Sequence, residues 1–404
     1  MLPPHVTVTT LGPADAPART RHATIALVAL ATGGFAIGTT EFVSMGLLPQ
    51  LARGVDVSIP AAGHAISAYA LGVVVGAPTI AFLAARLPRR ALLIGLMAAF
   101  AVGNAASALA TSYDWLLVAR FAAGLPHGAY FGVASLVAAS LVPADRKGRA
   151  VASVMLGLSV ANVVGVPAAT WLGQSLGWRA AYWLVALLGL LTVALVAAFV
   201  PSSRGDSGAT WQRELAALKR PQVVLTLAAG AIGFGGMFAV YTYIVPTITE
   251  VGGLSESVAP VFLLAFGLGM VAGTWLAGRL ADWSVMRSML LGGAGQGALL
   301  LGFALLAPAG YWTLPVLFGI TVTGSVLVVA LQLRLMAVAE EAQTMGAAMN
   351  HASLNVANAL GAWLGGLVIA ADWGYRAPAV VGAGLAGLGL LVLALSALLE
   401  RRSV

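Results

Sequence analysis

The sequence predicts an all-α polytopic membrane protein whose twelve spanning helices form two pseudo-symmetric six-helix bundles. Three observations carry that prediction: an extreme composition, twelve long apolar runs, and an internal repeat. Of 404 residues, 60% are hydrophobic and 9% charged, with a mean hydropathy of +0.95. Soluble domains carry roughly a quarter charged residues, so a water-soluble enzyme of this size is excluded. A spanning helix needs about 20 apolar residues, and a chain of this length holds about a dozen of them. The 49 glycines suit helices packed closely in lipid. The absence of cysteine excludes disulfides, thiolate zinc sites, cysteine nucleophiles and iron–sulfur clusters.

Apolar runs bounded by charge, Pro or Gly fall at 23–51, 60–84, 90–111, 114–141, 149–172 and 179–200, then at 222–249, 258–279, 287–307, 311–335, 345–370 and 375–399. The first is not a cleaved signal peptide: it is too long, contains Glu41, and has no small-residue cleavage site. The expected organisation is a cytoplasmic tail (1–22), a six-helix bundle (23–200), a cytoplasmic linker (201–221), a second six-helix bundle (222–399) and a cytoplasmic tail (400–404). The linker begins SSRGDSGAT and continues WQRELAALKR. Trp211, Leu215 and Leu218 share a helical face opposite the basic residues, which suits an interfacial helix on the inner leaflet; a plain polar linker fits equally well.

The basic residues set the orientation. Seventeen of the 21 Lys and Arg fall in even-numbered loops and tails, three (Arg53, Arg179, Arg376) in odd-numbered loops, and Arg120 lies inside a span. Such a bias places both termini in the cytoplasm. The net charge of +7 therefore describes the cytoplasmic face, and no nucleic-acid partner is expected. The expected partners are the bilayer, a small-molecule substrate and protons, and the expected state is a monomer.

The two halves echo each other. LSVANVVG (Leu158–Gly165) matches LNVANALG (Leu354–Gly361) at an offset of 196 residues. GWRA (Gly177–Ala180) matches GYRA (Gly374–Ala377), and LAAR (Leu83–Arg86) matches LADW (Leu280–Trp283), both at 197. Span five thus corresponds to span eleven. Parallel repeats of this kind place a substrate site between the halves near the midplane.

With GTTEFVSMGLLPQLARGVDVSIPAAGHAISAYALGVVVGAP (Gly38–Pro78), the chain resembles the major facilitator superfamily. Within it, the twelve-helix drug:proton antiporter branch is the nearest, closest to arabinose- and sugar-efflux transporters and more distantly to chloramphenicol-resistance exporters. The resemblance implies the major facilitator fold and covers the chain from about residue 23 onward. The family motif between spans two and three, G-x-L-a-D-r-x-G-r-R/K, reads AFLAARLPRR here. Ala81 and Ala85 replace its Gly and Asp, while Arg86, Arg89 and Arg90 remain. The second copy, GRLADWSVMR, keeps Gly278 and Asp282. The resemblance implies a cytoplasmic gate at Arg86, Arg89, Arg90, Asp282 and Arg287, with the second half carrying more of it. Arg120 and Gly124 match the Arg-x-x-x-Gly motif of span four, and Gly165-Val166-Pro167 departs by one residue from the antiporter Gly-Pro.

Two formal charges lie well inside the spans, Glu41 and Arg120, and an ionisable group in hydrocarbon marks function by default. At 1.5 Å per residue they sit roughly 15 Å and roughly 9 Å from the outer surface, near enough in depth to pair directly or through water. Glu41 is read as the proton-carrying acid, with Arg120 and His127 in the same coupling machinery. A permanent ion pair, and a merely packed histidine, are the structural alternatives. Gly38, Glu41 and Met45 share a face, as do Arg120, Gly124, His127 and Phe131, with Tyr130 adjacent. Span eleven carries His351, Asn355 and Asn358 as a polar stripe. Asn162 and Asn358, being repeat mates, are read as interhelical glue together with Gly124, Gly165 and Pro167. Asn355 aligns with Ser159 and is the better candidate for substrate contact. Phe238 and Tyr241 of span seven complete the expected cavity with Gly38, Met45, Tyr130 and Phe131; packing is the competing explanation for that aromatic stripe.

The expected function is secondary active efflux of a small organic solute (sugar, nucleoside or drug-like), driven by the proton motive force without a cofactor, in a bacterial inner membrane. No G-x-x-x-x-G-K-S/T run is present, so ATP is not the energy source. An importer or facilitator on the same fold is the alternative. An embedded enzyme would need clustered acids or histidines, and His64, His127 and His351 lie on different spans.

Overall fold

The computed structural model describes residues 15–84, 87–143, 146–202, 220–338 and 343–402. Among them there is no β-strand. Span one is Asp15–Gly46, continued by the short helix Leu48–Gly54. Spans two, three and four are Ile59–Ala84, Arg89–Ala108 and Tyr113–Ser140. Span five runs Lys147–Val160 and Val166–Leu176 around a π turn, and span six is Trp178–Phe199. Span seven is broken into Pro221–Gly233, Gly235–Thr242, Ile244–Pro246 and a second π turn, Thr247–Val251. Spans eight to twelve are Ala259–Trp283, Val285–Leu306, Thr313–Val338, Gln343–Ala370 and Ala377–Arg402.

Eleven continuous helical runs are long and apolar enough to cross a bilayer, and one of them, Val285–Val338, has 54 residues. An α-helix of that length would measure about 80 Å, far beyond a hydrocarbon core of about 30 Å. It is two crossings joined by the tight turn Ala307–Trp312, where Gly310 leaves helical geometry at φ 59°, ψ −114°. That turn makes twelve crossings, six in each half. The expected interfacial helix bearing Trp211, Leu215 and Leu218 lies outside the described residues, as does Arg86.

Backbones approach where side chains are small. In the first half, span two meets span four at Gly72 and Gly124, where a Cβ would strike the facing backbone at Phe121 and Tyr69. Span one meets span five at Gly38, where a Cβ would lie 2.7 Å from Leu158 and 2.8 Å from Ala161. The second half repeats this scheme. Span eight meets ten at Gly269 and Gly273, and seven meets eleven at Gly361. Pseudo-symmetry therefore extends from sequence offsets to helix pairing.

The GWRA/GYRA repeat is a joint. Gly177 (φ 92°) and Gly374 (φ 76°) turn the chain with backbone angles that a side chain would strain. Two residues on, Arg179 donates to the Ala110 carbonyl at 2.7 Å and Arg376 to the Ala304 carbonyl at 2.6 Å. Each guanidinium thus reaches the carbonyl-rich end of the third helix of its own half, where cations are favoured.

The halves meet through an apolar layer. The largest core cluster joins Phe42, Met45 and Leu48 of the first half to Phe238, Tyr241, Phe262 and Phe266 of the second. Span two also touches span eleven, where Ser67 Oγ donates to the Ala359 carbonyl at 3.1 Å. Leu, Val and Trp side chains such as Trp171, Leu176, Leu187, Trp275 and Leu391 remain exposed around the bundle, as a lipid-facing surface requires.

Candidate functional site

Arg120 is completely buried, yet its charge is well served. Its Nη1 donates to Thr40 Oγ1 at 3.1 Å and its Nη2 to the Thr40 carbonyl at 3.3 Å. The guanidinium carbon lies 4.3 Å from the Tyr69 ring centroid and 5.3 Å from that of Tyr182. Thr40 passes the chain on to Asn104 Oδ1 at 2.5 Å, and Asn104 Nδ2 donates to the Phe100 carbonyl at 2.9 Å. Tyr182 shares a 2.8 Å hydrogen bond with Ser44. A buried cation needs such hydrogen bonds and π faces to offset lost hydration. Tyr69, Thr40, Asn104 and Tyr182 were not singled out from sequence. The available signal was polar and tyrosine positions inside otherwise apolar spans one, two, three and six.

Glu41 is adjacent to Thr40 and only 7% exposed. Arg120 is not its ion-pair partner: among the described residues its carboxylate makes no hydrogen bond and no ion pair. Arg120, Tyr69 and Tyr241 lie within electrostatic range of it. Tyr241 belongs to the second half, and its buried hydroxyl likewise has no hydrogen-bond partner among the described residues. The acid therefore stands at the seam. Phe42 beside it packs against Phe238 (6.3 Å, parallel), Tyr241 (5.6 Å, edge-on) and Phe266 (6.1 Å) across that seam.

His127 is tied into the same network, its Nδ1 sharing a 3.1 Å hydrogen bond with Tyr69 OH. It lies edge-on to Phe131 at 5.5 Å, and Phe131 stacks on His351 of span eleven at 5.9 Å with rings 6° from parallel. Arg120, Tyr69, His127, Phe131 and His351 thus form a continuous line from the first half to the second. Pro126 lies inside span four beside His127.

Tyr130 departs from its expected place. Its hydroxyl donates to the Leu30 carbonyl at 2.8 Å, and its ring belongs to the core of the first half, so it is a packing residue and lines no seam. Gly38 is likewise occupied by the close approach of span five. Met45, Phe238 and Tyr241 do sit in the shared apolar layer. Gly124 holds spans two and four together, and Gly165 faces Thr39 and Phe35 of span one.

The amides do not act as interhelical glue here. Asn162 Nδ2 bonds within its own helix to the Leu158 carbonyl at 3.0 Å, and its Oδ1 is unpartnered. Asn355 Nδ2 similarly bonds to the His351 carbonyl at 3.0 Å, leaving Oδ1 unpartnered. Both amide atoms of Asn358, Gln296 and Asn350 are buried without partners among the described residues. All three lie in the second half, and Gln296 and Asn350 carried no sequence signal beyond being polar.

The departure Gly165-Val166-Pro167 has a local explanation. Ala161–Gly165 forms a π turn in which Val166 N–H bonds five residues back to the Ala161 carbonyl. Such a turn absorbs one extra residue in a helix and recurs at functional positions. At the end carrying the termini, Arg90 donates to the Ala197 carbonyl and Arg89 is half-buried. Asp282 and Arg287 are exposed, and Arg287 lies over the Trp283 ring at 4.9 Å; among the described residues it makes no ion pair with Asp282.

Comparison with known proteins agrees with this architecture. The chain is 44% identical over 384 residues to the inner membrane transport protein YdhP of Escherichia coli O157:H7, covering 92% of this chain and 95% of that one. It is 38% identical over 360 residues to the chloramphenicol resistance protein of Streptomyces lividans, covering 86% and 89%. The fold matches the crystal structure of a D-xylose-proton symporter with a TM-score of 0.72 and 16% identity, over 92% of this chain and 97% of that one. The family model described as Major Facilitator Superfamily matches residues 30–350. With twelve crossings in two matching halves and that match over most of its length, the chain belongs to the Major Facilitator Superfamily of membrane transporters.

Proposed function

We propose that this transporter is a proton-coupled exporter of the bacterial inner membrane, with both termini cytoplasmic. It exchanges an inward proton for an outward small organic molecule by rocking its halves about the seam. The observation that carries the reading is Glu41, a nearly buried carboxyl at the seam with no hydrogen bond or ion pair among the described residues, beside an arginine already held by Thr40 and two tyrosines. A permanently paired acid would have no reason to exchange a proton. An acid without a fixed partner can bind one when burial wins and release it when water or cargo reaches it. The direction is supported by the likeness to a chloramphenicol resistance protein, whose name fits a small drug-like cargo leaving the cell. The bias of basic residues toward the ends bearing the termini supports the orientation.

The protein needs no cofactor in this reading, since the proton gradient supplies the energy. The test is exchange in vesicles loaded with chloramphenicol under an imposed pH gradient. Native protein should drive efflux against the drug gradient, and Glu41→Gln should lose that drive. Equal gradient-driven flux in the variant would remove Glu41 from coupling. Accumulation in the opposite direction would make the protein an importer.

A further inference from the structure

Glu256 stands in the 3-10 turn Glu256–Val258 that leads into span eight, at the end of the molecule remote from the termini. Three side chains of the first half converge on it. Arg53 donates from Nη1 to Oε1 at 3.0 Å and from Nη2 to Oε2 at 3.1 Å. Gln50 Nε2 donates to Oε2 at 3.0 Å. Gln174, near the end of span five, donates to the Glu256 backbone carbonyl at 2.8 Å. One residue of the second half is thereby tied to spans one and five of the first.

Helix capping does not account for this arrangement. The turn already has its cap, because Ser255 Oγ accepts from Ser257 N–H. The carboxylate of Glu256 is turned instead to the opposite half, where its hydrogen bonds hold the Arg53 guanidinium above its ordinary pKa. Between described residues, this is the ion pair that joins the halves; Arg334–Glu400 lies within the second. The aromatic layer of Phe42, Phe238, Tyr241 and Phe266 lies deeper on the same seam.

We propose that Glu256, held by Arg53, Gln50 and Gln174, is an electrostatic latch on the outer end of the seam. It sets how often the halves part there and makes that parting sensitive to ionic strength outside the cell. The inference rests on the alternating-access reading above. Its strength follows from exposure. The side chains of Arg53 and Glu256 are 63% and 35% exposed, so water and salt screen the pair. A screened latch shifts a population modestly and releases readily, which a cycling transporter requires.

The chain has no cysteine, so single reporters can be introduced without removing any. Leu48, fully buried in the apolar layer between the halves and on the short helix that carries Gln50 and Arg53, reports opening when Leu48→Cys is labelled by a membrane-impermeant maleimide from outside. We expect Glu256→Gln to speed labelling by about two- to fivefold, the range of a weak exposed ion pair. About 0.5 M external salt, where the screening length is about 4 Å, should speed labelling of the native background similarly and Glu256→Gln little further. The exchanged pair Arg53→Glu with Glu256→Arg should restore slow labelling, and Arg53→Gln serves if Glu256→Gln folds poorly. Unchanged rates and unchanged salt response in both single variants would overturn the latch. A disulfide formed by Arg53→Cys with Glu256→Cys must suppress labelling. If it does not, the rocking of the halves fails, and the latch fails with it.

Discussion

In the first half, Arg120, Thr40 and Asn104 form a chain of hydrogen bonds, Ser44 meets Tyr182, and Tyr69 meets His127. In the second half, Gln296, Asn350 and Asn358 are buried with neither amide atom partnered among the described residues. The first half has orphans too, at Gln50 Oε1, Arg120 Nε, Asn162 Oδ1, Thr170 Oγ1 and Trp178 Nε1, but these are single atoms. The scaffold is repeated and its polar chemistry is not. One half has the polar groups around its buried cation fixed in advance, which suits a structure that must hold a charge in hydrocarbon. The other keeps hydrogen-bonding capacity in reserve, which suits a surface completed by something else. An unmet buried polar group costs about 1–3 kcal/mol, so several together need a reason.

The difference can be broken or sharpened by mutation. The largest effect is expected at the seam, where Glu41→Gln should reduce pH-driven exchange by on the order of 100-fold, as for removal of a positioned proton-transfer group. Drug counterflow without a gradient should fall much less, and parallel loss of both would contradict a coupling role. Next comes Arg120→Met, which breaks the fixed network and should destabilise the protein by about 3 kcal/mol, read as a lowered melting midpoint in detergent. Arg120→Lys should recover little, because a point charge cannot fork to Thr40 and stack on Tyr69 and Tyr182.

The matched pair Asn104→Leu and Asn358→Leu tests the comparison itself. Asn104 accepts from Thr40 and donates to Phe100, so its loss should cost about 1–3 kcal/mol. Asn358 has no partner to lose, so its replacement should leave the melting midpoint equal or higher while weakening transport. Equal destabilisation by both would erase the contrast between the halves. The smallest effect belongs to Tyr130→Phe, which removes one buried hydrogen bond to Leu30, costs about 1 kcal/mol and leaves flux unchanged.

The fold was legible because lipid imposes it. Length of apolar run and repeat offset follow from one-dimensional pattern, and both reappear in the helices. The turn between spans nine and ten shows that bounds drawn from composition can separate two crossings that helical continuity merges. The site was legible in part. Glu41 and Arg120 stood out because charge is rare in hydrocarbon, but their relation did not. Similar depth left pairing open, because depth does not fix direction around a helix axis, and Thr40 holds Arg120. Tyr130 was misplaced for the same reason, since its neighbour Phe131 faces the seam and it faces Leu30. Glu256 carried no signal in the sequence because its partner Arg53 lies 203 residues away, in the other half.

The joints made by Arg179 and Arg376 bear on how each half holds its shape. Each binds the end of its half's third helix to the start of its sixth, Arg179 through Nη2 and Arg376 through Nε. Each half therefore carries a brace of similar construction. The inward faces differ although the braces correspond. One face acquired a caged cation, the other a set of unanswered amides. Scaffold and polar chemistry are thus separable in this fold, and a change of cargo would not require a change of brace.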